Sequence, residues 1–224
     1  MKIDVLMSGP SLNKHKLSKL EAETVAISNT FDACALKTKK LKSVYYFISD
    51  PDMFQNLQKV GIIEKNISIL KKEIILVIPR RFLLKRKFFR VFLKLAIHKG
   101  RLSLYKADDK SYKSLSYTFS KTSFPNLQTV LLDAAIPTLI HKGYKDITVY
   151  GTDLNYGNSD KKSYGLTSQS LQEKNEIKDQ SEWREFVISG IIFYISLAKR
   201  HYGAKIYFDR DSGAGRILTK MGVQ

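Results

Sequence analysis

The sequence predicts an α/β fold: one Rossmann-like, doubly wound, mostly parallel sheet with a mobile lid loop. Short apolar runs alternate with helix-length segments along the chain, the order that builds successive βαβ units. One run, Glu73–Pro79, is continuously apolar, as in a strand buried on both faces. With 224 residues, 43% of them hydrophobic, the chain can bury one sizeable core. A single domain over 1–224 is therefore expected.

The elements follow in order. A strand over roughly 2–7 ends at Ser8, Gly9, Pro10 and Ser11, and a Leu/Lys-patterned helix follows at about 12–20. Thr24–Ser28 and Ser43–Ser49 read as the second and third strands. The third stops at Asp50, which caps a helix opened by Pro51 and running to about Val60. Glu73–Pro79 is the fourth strand, and a basic helix fills 80–99. Residues 100–125 form a Ser/Lys/Tyr-rich connection with weak strand character. A helix from Asn126 to His141 closes on Gly143 as its cap. The strand Asp146–Tyr150 runs straight into Gly151, Thr152 and Asp153. Residues 157–182 are polar and without apolar periodicity, as in a lid. A helix over Trp183–His201, a last strand over Ala204–Phe208 and a short tail over 209–224, its ending helix-like, complete the chain.

Composition narrows the class. The lone cysteine, Cys34, leaves no intrachain disulfide or cysteine-based zinc site and suits a reducing compartment. No apolar run approaches the ~20 residues of a membrane span, and the start lacks a signal-peptide pattern, so a cytoplasmic location is expected. Lys and Arg number 38 against 21 Asp and Glu, a formal +17. Such an excess attracts nucleic acid, anionic headgroups, or nucleotide and glycolipid substrates.

The cations concentrate between Arg80 and Lys99, which holds no acid. At about 100° per residue, Arg86, Lys87, Arg90 and Lys94 share one side, while Phe88, Phe89, Val91, Phe92, Leu95 and Ala96 cover the other. That is the form of a helix lying on an anionic membrane or gripping an anionic glycolipid, or of a surface helix whose apolar side packs on the sheet with its cations in water; both hold if the apolar side packs inward while the cations face lipid.

Open α/β sheets bind ligands beyond the carboxyl ends of their strands. Those ends here are Ser8–Ser11, Ser28 with Asn29, Asp50–Asp52 and Gly151–Asp153, all small or polar. Gly9 would admit a ligand close to the backbone, and the helix behind it would aim N–H groups at phosphate; an ordinary strand–helix turn has the same sequence.

In order and spacing these segments resemble the bacterial lipooligosaccharide sialyltransferases and their relatives. The shared features are the turn Gly9–Leu12, Asn29 closing the second strand, Asp50–Phe54, the run Gly143–Ile147, Gly151–Tyr156, and Tyr164 in the following loop. They touch about 1–60 and 125–208. The resemblance implies a metal-independent glycosyltransferase using a CMP-activated acidic sugar as donor substrate, with no cofactor. Ser8, Gly9, Pro10, Ser11, Asn29, Gly151 and Thr152 would bind the nucleotide, and Tyr156 and Tyr164 would hydrogen-bond the departing phosphate. Ser8 and Asp50 stand where that family has Asn. Its catalytic His, before the last long helix, has no counterpart among Ser181–Glu185. The departures favour a relative with another donor, such as CMP-Kdo.

Glycosyl transfer needs a base or nucleophile, for which Asp153 and Asp50 are the candidates and Glu182 or Glu185 the lesser ones. Such a carboxylate deprotonates an acceptor hydroxyl or attacks the anomeric carbon. Asp50 and Asp52 have the form of a metal-binding pair, but Pro51 between them favours a helix cap. Asp153 could equally bond its own turn. His15, His98, His141 and His201 show no metal-ligand spacing and read as helix-end or surface cations. The leading expectation is thus a transferase for lipopolysaccharide or capsule synthesis, peripheral to the inner face of the membrane. Its partners would be a nucleotide sugar, a glycan or glycolipid acceptor and an anionic membrane, and it could pair with copies of itself. Two alternatives stand beside it: a pterin pyrophosphokinase-like or flagellin-glycosylating relative of the same fold, and a non-enzymatic basic nucleic-acid binder. Against the last, no known DNA- or RNA-binding motif is present, and no nucleic-acid partner is expected.

Overall fold

The computed structural model describes residues 1–29, 31–108, 123–125, 129–154 and 181–223. Eight strands form one sheet: β1 (Lys2–Leu6), β2 (Thr24–Ser28), β3 (Ser43–Phe47), β4 (Ile74–Pro79), β5 (Arg101–Asp108), β6 (Ser123–Pro125), β7 (Asp146–Tyr150) and β8 (Lys205–Phe208). Their order is β6-β5-β4-β3-β2-β1-β7-β8. Every pairing is parallel, not most of them. The chain winds outward from β1 to β6 and then crosses back to place β7 on the other side of β1. The reversal between β1 and β7 is the topological switch point of such sheets.

The helices are α1 (Lys14–Ser18), α2 (Leu57–Leu70), α3 (Phe88–Ile97), α4 (Ile136–His141), α5 (Ser181–Tyr202) and α6 (Gly213–Lys220). Side chains alternate across the strands and feed two cores. Ile3, Val5, Phe47, Ile147 and Phe208 pack with α4 and α5. Leu6, Ile27, Tyr46, Leu76 and Ile78 pack with α1, α2 and α3. Burial on both faces explains the unbroken apolar run of β4, all six residues of which are buried.

Several boundaries differ from those read off the sequence. β3 ends at Phe47, short of Ser49. Asp50 does cap a helical turn, accepting from the Asp52 N–H at 2.9 Å, but the turn is a 3-10 helix over Pro51–Phe54. Asn56 then caps a separate helix that runs ten residues past Val60. The basic helix is likewise two pieces, a 3-10 helix over Arg80–Leu84 and then α3, separated by Lys85, Arg86 and Lys87. Three adjacent cations oppose the positive end of a helix, and no side chain caps α3. The connection over 100–125 contains β5 in full and β6. The helix before β7 opens as a π-helix over Leu131–Ala135. Pro137 cannot donate to the Asp133 carbonyl four residues back, and the wider turn absorbs that loss. Gly143 takes a φ of +84° behind α4, as a terminating glycine does. Ser181 and Glu182 belong to α5 and not to a lid. The tail after β8 carries a capped helix, α6. No helix among the described residues is long and apolar enough to cross a membrane.

Candidate active site at the strand-order reversal

The nominated residues form one row along the carboxyl edge of the sheet. Asp50 follows β3, Asn29 follows β2, Ser8–Ser11 follow β1, and Gly151–Asp153 follow β7. Four adjacent strands place the row's ends about 14 Å apart at ~4.8 Å per strand. Tyr156 and Tyr164 lie outside the described residues.

At the centre, the loops after β1 and β7 are locked together. The Gly9 N–H donates to the Gly151 carbonyl at 2.8 Å, and the Ser11 N–H donates to Asp153 Oδ2 at 2.7 Å. The loops approach so closely that a Cβ on Gly9 would lie 2.2 Å from both Asp153 Oδ2 and Gly151 O. Gly9 is thus demanded by its own neighbours, where the sequence suggested a ligand's approach. Nor does a helix aim N–H groups from this turn. The Leu12 N–H donates back to Gly9 O at 3.1 Å, and α1 starts later behind its own cap, Asn13. Asp153 bonds the opposite loop.

The β7 loop is strained. Gly151 sits at φ +72° with Met7 O only 2.4 Å from where a Cβ would be. Leu154 sits at φ +55°, a conformation costing a non-glycine residue about 1–2 kcal/mol. Between them, Thr152 and Asp153 are buried. The hydroxyl oxygens of Thr152 and of Ser11, across the crevice, are buried without a hydrogen-bond partner among the described residues. Buried polar atoms are nearly always paired, so these two hydroxyls, one beside Asp153 in sequence and one on the residue whose N–H bonds its carboxylate, are candidates for bonding a ligand.

A third wall comes from the end of β8. The Ala214 N–H donates to Thr152 O at 2.9 Å, and a Cβ on Gly213 would lie 1.7 Å from Asp153 O. Ser212 caps α6 through the Gly215 N–H at 3.1 Å. Lys16 of α1 completes the circuit by pairing with Asp209, and with Asp211 at 2.9 Å. Burial works against its charge, but the two carboxylates outweigh that and hold the Lys16 ammonium above the usual lysine range. Lys16 in turn holds the exposed Asp211 carboxyl below its ordinary range.

No family model and no curated protein matches the chain. Among solved structures it is similar to the monofunctional alpha-2,3-sialyltransferase Cst-I from Campylobacter jejuni, at 18% identity over 93% of this chain and 75% of that one, with a TM-score of 0.45.

Asn29 is held by a separate network. It adopts φ +38°, which Asn tolerates better than most residues. Its Oδ1 accepts from the Ser49 N–H at 3.3 Å, and its carbonyl accepts from the Tyr46 hydroxyl at 2.5 Å. Fully buried Asn66 donates through Nδ2 to Tyr46 Oη at 3.1 Å and to Phe31 O at 2.7 Å. The end of β2 is therefore fixed before any ligand arrives.

Sequence reasoning passed over the cations nearest to Asp153. A cavity of about 180 Å³ is lined by Asp153 and Leu154 together with Arg184 of α5 and Arg216 and Lys220 of α6. Their signal was present: Ser212, Gly213 and Gly215 after a strand spell a capped helix in close backbone contact. A wider trough of about 1040 Å³, lined by Lys37, Lys39, Lys42 and Lys71, lies toward the amino ends of β3 and β4. It shares no residue with the crevice, which the topology favours as the site.

Proposed function

We propose that the chain is a glycosyltransferase that moves an acidic sugar, of sialic acid or Kdo type, from a CMP-sugar to a glycan or glycolipid acceptor. The observation carrying this reading is the pair of buried hydroxyls, Ser11 and Thr152, that have no partner among the described residues and belong to residues adjoining Asp153 at the switch point, beside a pocket of three cations. The order of the motifs from Gly9 to Tyr156, which resembles the lipooligosaccharide sialyltransferases, supports CMP as the carrier.

In the reaction the bond between the anomeric carbon and the CMP phosphate oxygen breaks, and its electron pair leaves on that oxygen. Arg184, Arg216 and Lys220 offset the charge left on the phosphate, as fixed cations do in a partly enclosed site. The acceptor oxygen bonds to the anomeric carbon, directly or after a carboxylate has held the sugar, and its proton passes to a carboxylate. Asp153 is the candidate for that group. Its Oδ2 holds the Ser11 N–H and orients the other oxygen. Asp50 is the second candidate, three strand positions away on the same rim.

Thermal shift with CMP, UDP and GDP, each with and without magnesium, tests the reading without knowledge of the acceptor. CMP should raise the melting temperature, independently of magnesium. Ser11→Ala and Thr152→Val remove hydroxyls that bond nothing among the described residues, so they should leave the ligand-free melting temperature nearly unchanged and abolish the CMP shift. A shift only with a diphosphate and magnesium would discard the CMP donor. A CMP shift that survives in both variants would discard the site.

A further inference from the structure

Of the two readings that its sequence allows, α3 does not follow the one that packs its whole apolar side on the sheet. Phe88, Val91 and Leu95 are buried against α2 and the sheet. Two of the four cations on the polar side point back to the protein. Arg90 makes a two-pronged pair with Glu64, 3.1 Å at each contact, and the Lys87 ammonium donates to the Gln55 carbonyl. What faces solvent is a second apolar stripe: Phe89, Phe92, Leu93 and Ile97, continued by Leu83 and Leu84 in the 3-10 turn before it. Leu84 is 88% exposed, Ile97 72% and Phe89 62%. A shallow groove of about 380 Å³ runs between Leu83, Phe89 and Phe92. Single exposed apolar residues are ordinary; six within fifteen residues form a patch that calls for an occupant.

We infer that this patch is a membrane-docking face, with Leu84, Phe89, Phe92, Leu93 and Ile97 inserted among the lipid chains of an anionic bilayer and a ring of cations on its headgroups. Charge complementarity selects that occupant. Arg80, Arg81, Lys85, Arg86, Lys94 and Lys99 border the stripe, and no acid occurs between Ile74 and Ala107. A second copy would bring two such cationic rims together in a chain of net charge +17, whereas an anionic surface satisfies both the apolar stripe and its border. The 3-10 turn carrying Leu83 and Leu84 leaves the carboxyl end of β4, on the same sheet edge as the candidate site. Docking there presents that edge to the bilayer, where a lipid-carried acceptor would be found. The docking itself does not depend on CMP binding.

Vesicle flotation of the full chain tests the inference. The protein should float with mixed phosphatidylcholine–phosphatidylglycerol vesicles and stay behind with phosphatidylcholine alone. Arg86→Gln should weaken binding about fivefold, the worth of one interfacial cation. The double variant Leu84→Ser, Phe89→Ser alters only exposed side chains and should lose flotation while keeping its melting temperature and any nucleotide-induced shift. Failure of the wild type to float, or flotation of the double variant undiminished, would overturn the inference. So would a concentration-dependent dimer abolished by the double variant without vesicle binding, which would make the face a contact between copies.

Discussion

At the scale of single residues, the end of β2 is held by a closed hydrogen-bond network. Tyr46 is the clearest case, since its hydroxyl donates to Asn29 O and accepts from Asn66 in a fully buried setting. Tyr46→Phe orphans both partners and should cost about 1–3 kcal/mol of stability by denaturant unfolding. Asn29 can then leave φ +38°, so the nucleotide-induced shift should weaken with it. Gly9 and Gly61 separate two reasons for having no side chain. Gly9→Ala drives a Cβ into Asp153 and Gly151 and should cost about 3 kcal/mol. Gly61→Ala, inside α2 with nothing within 4 Å of the new methyl, should gain up to about 1 kcal/mol. Paired thermal melts decide both. From sequence, Gly9 was legible as a point of close backbone approach, and the structure adds one neighbour that approaches it. A glycine before proline announces a close approach without saying what approaches, and here it is a loop about 142 residues away.

At the scale of elements, the strands were the most readable feature and the helix ends the least. β2 and β7 begin and end where the sequence reading placed them, β2 buried throughout and β7 with Ile147 and Val149 buried between more open neighbours. Helices were misjudged where electrostatics or backbone chemistry interrupts the pattern: the cation triplet Lys85–Lys87 splitting one, Asn56 restarting another, Pro137 forcing a π turn. The amphipathic reading of α3 was right in kind and left open which apolar residues pack inward. Helical periodicity identifies an apolar side, yet only neighbouring elements decide how much of it is covered, and α2 covers just the Phe88, Val91, Leu95 stripe. Glu64 and Gln55, which hold Arg90 and Lys87, lie more than twenty residues from them in sequence.

At the scale of the molecule, strand order makes the site. Alternation of strands and helices implied a parallel sheet, but only the reversal between β1 and β7 identifies which loops meet. The Lys16–Asp209 pair was invisible for the same reason, since it joins residues separated by 193 positions. That pair closes the circuit from β1 through β7 and β8 to α1, and Asp209→Asn should cost about 1–3 kcal/mol at neutral pH, between the worth of an exposed and a fully buried pair. Its pH dependence has a definite sign. The folded state holds the Lys16 proton more tightly than the unfolded chain, so the stabilisation is complete below the ordinary lysine range and disappears as pH rises through the elevated value. Melting curves of wild type and Asp209→Asn should converge at strongly alkaline pH. The same wide separations govern the order in which the protein comes into being. Gly151 and Asp153, which lock the Gly9 turn, are synthesised about 142 residues after it, and Ala214 later still, so the crevice cannot close on a chain that stops short of them.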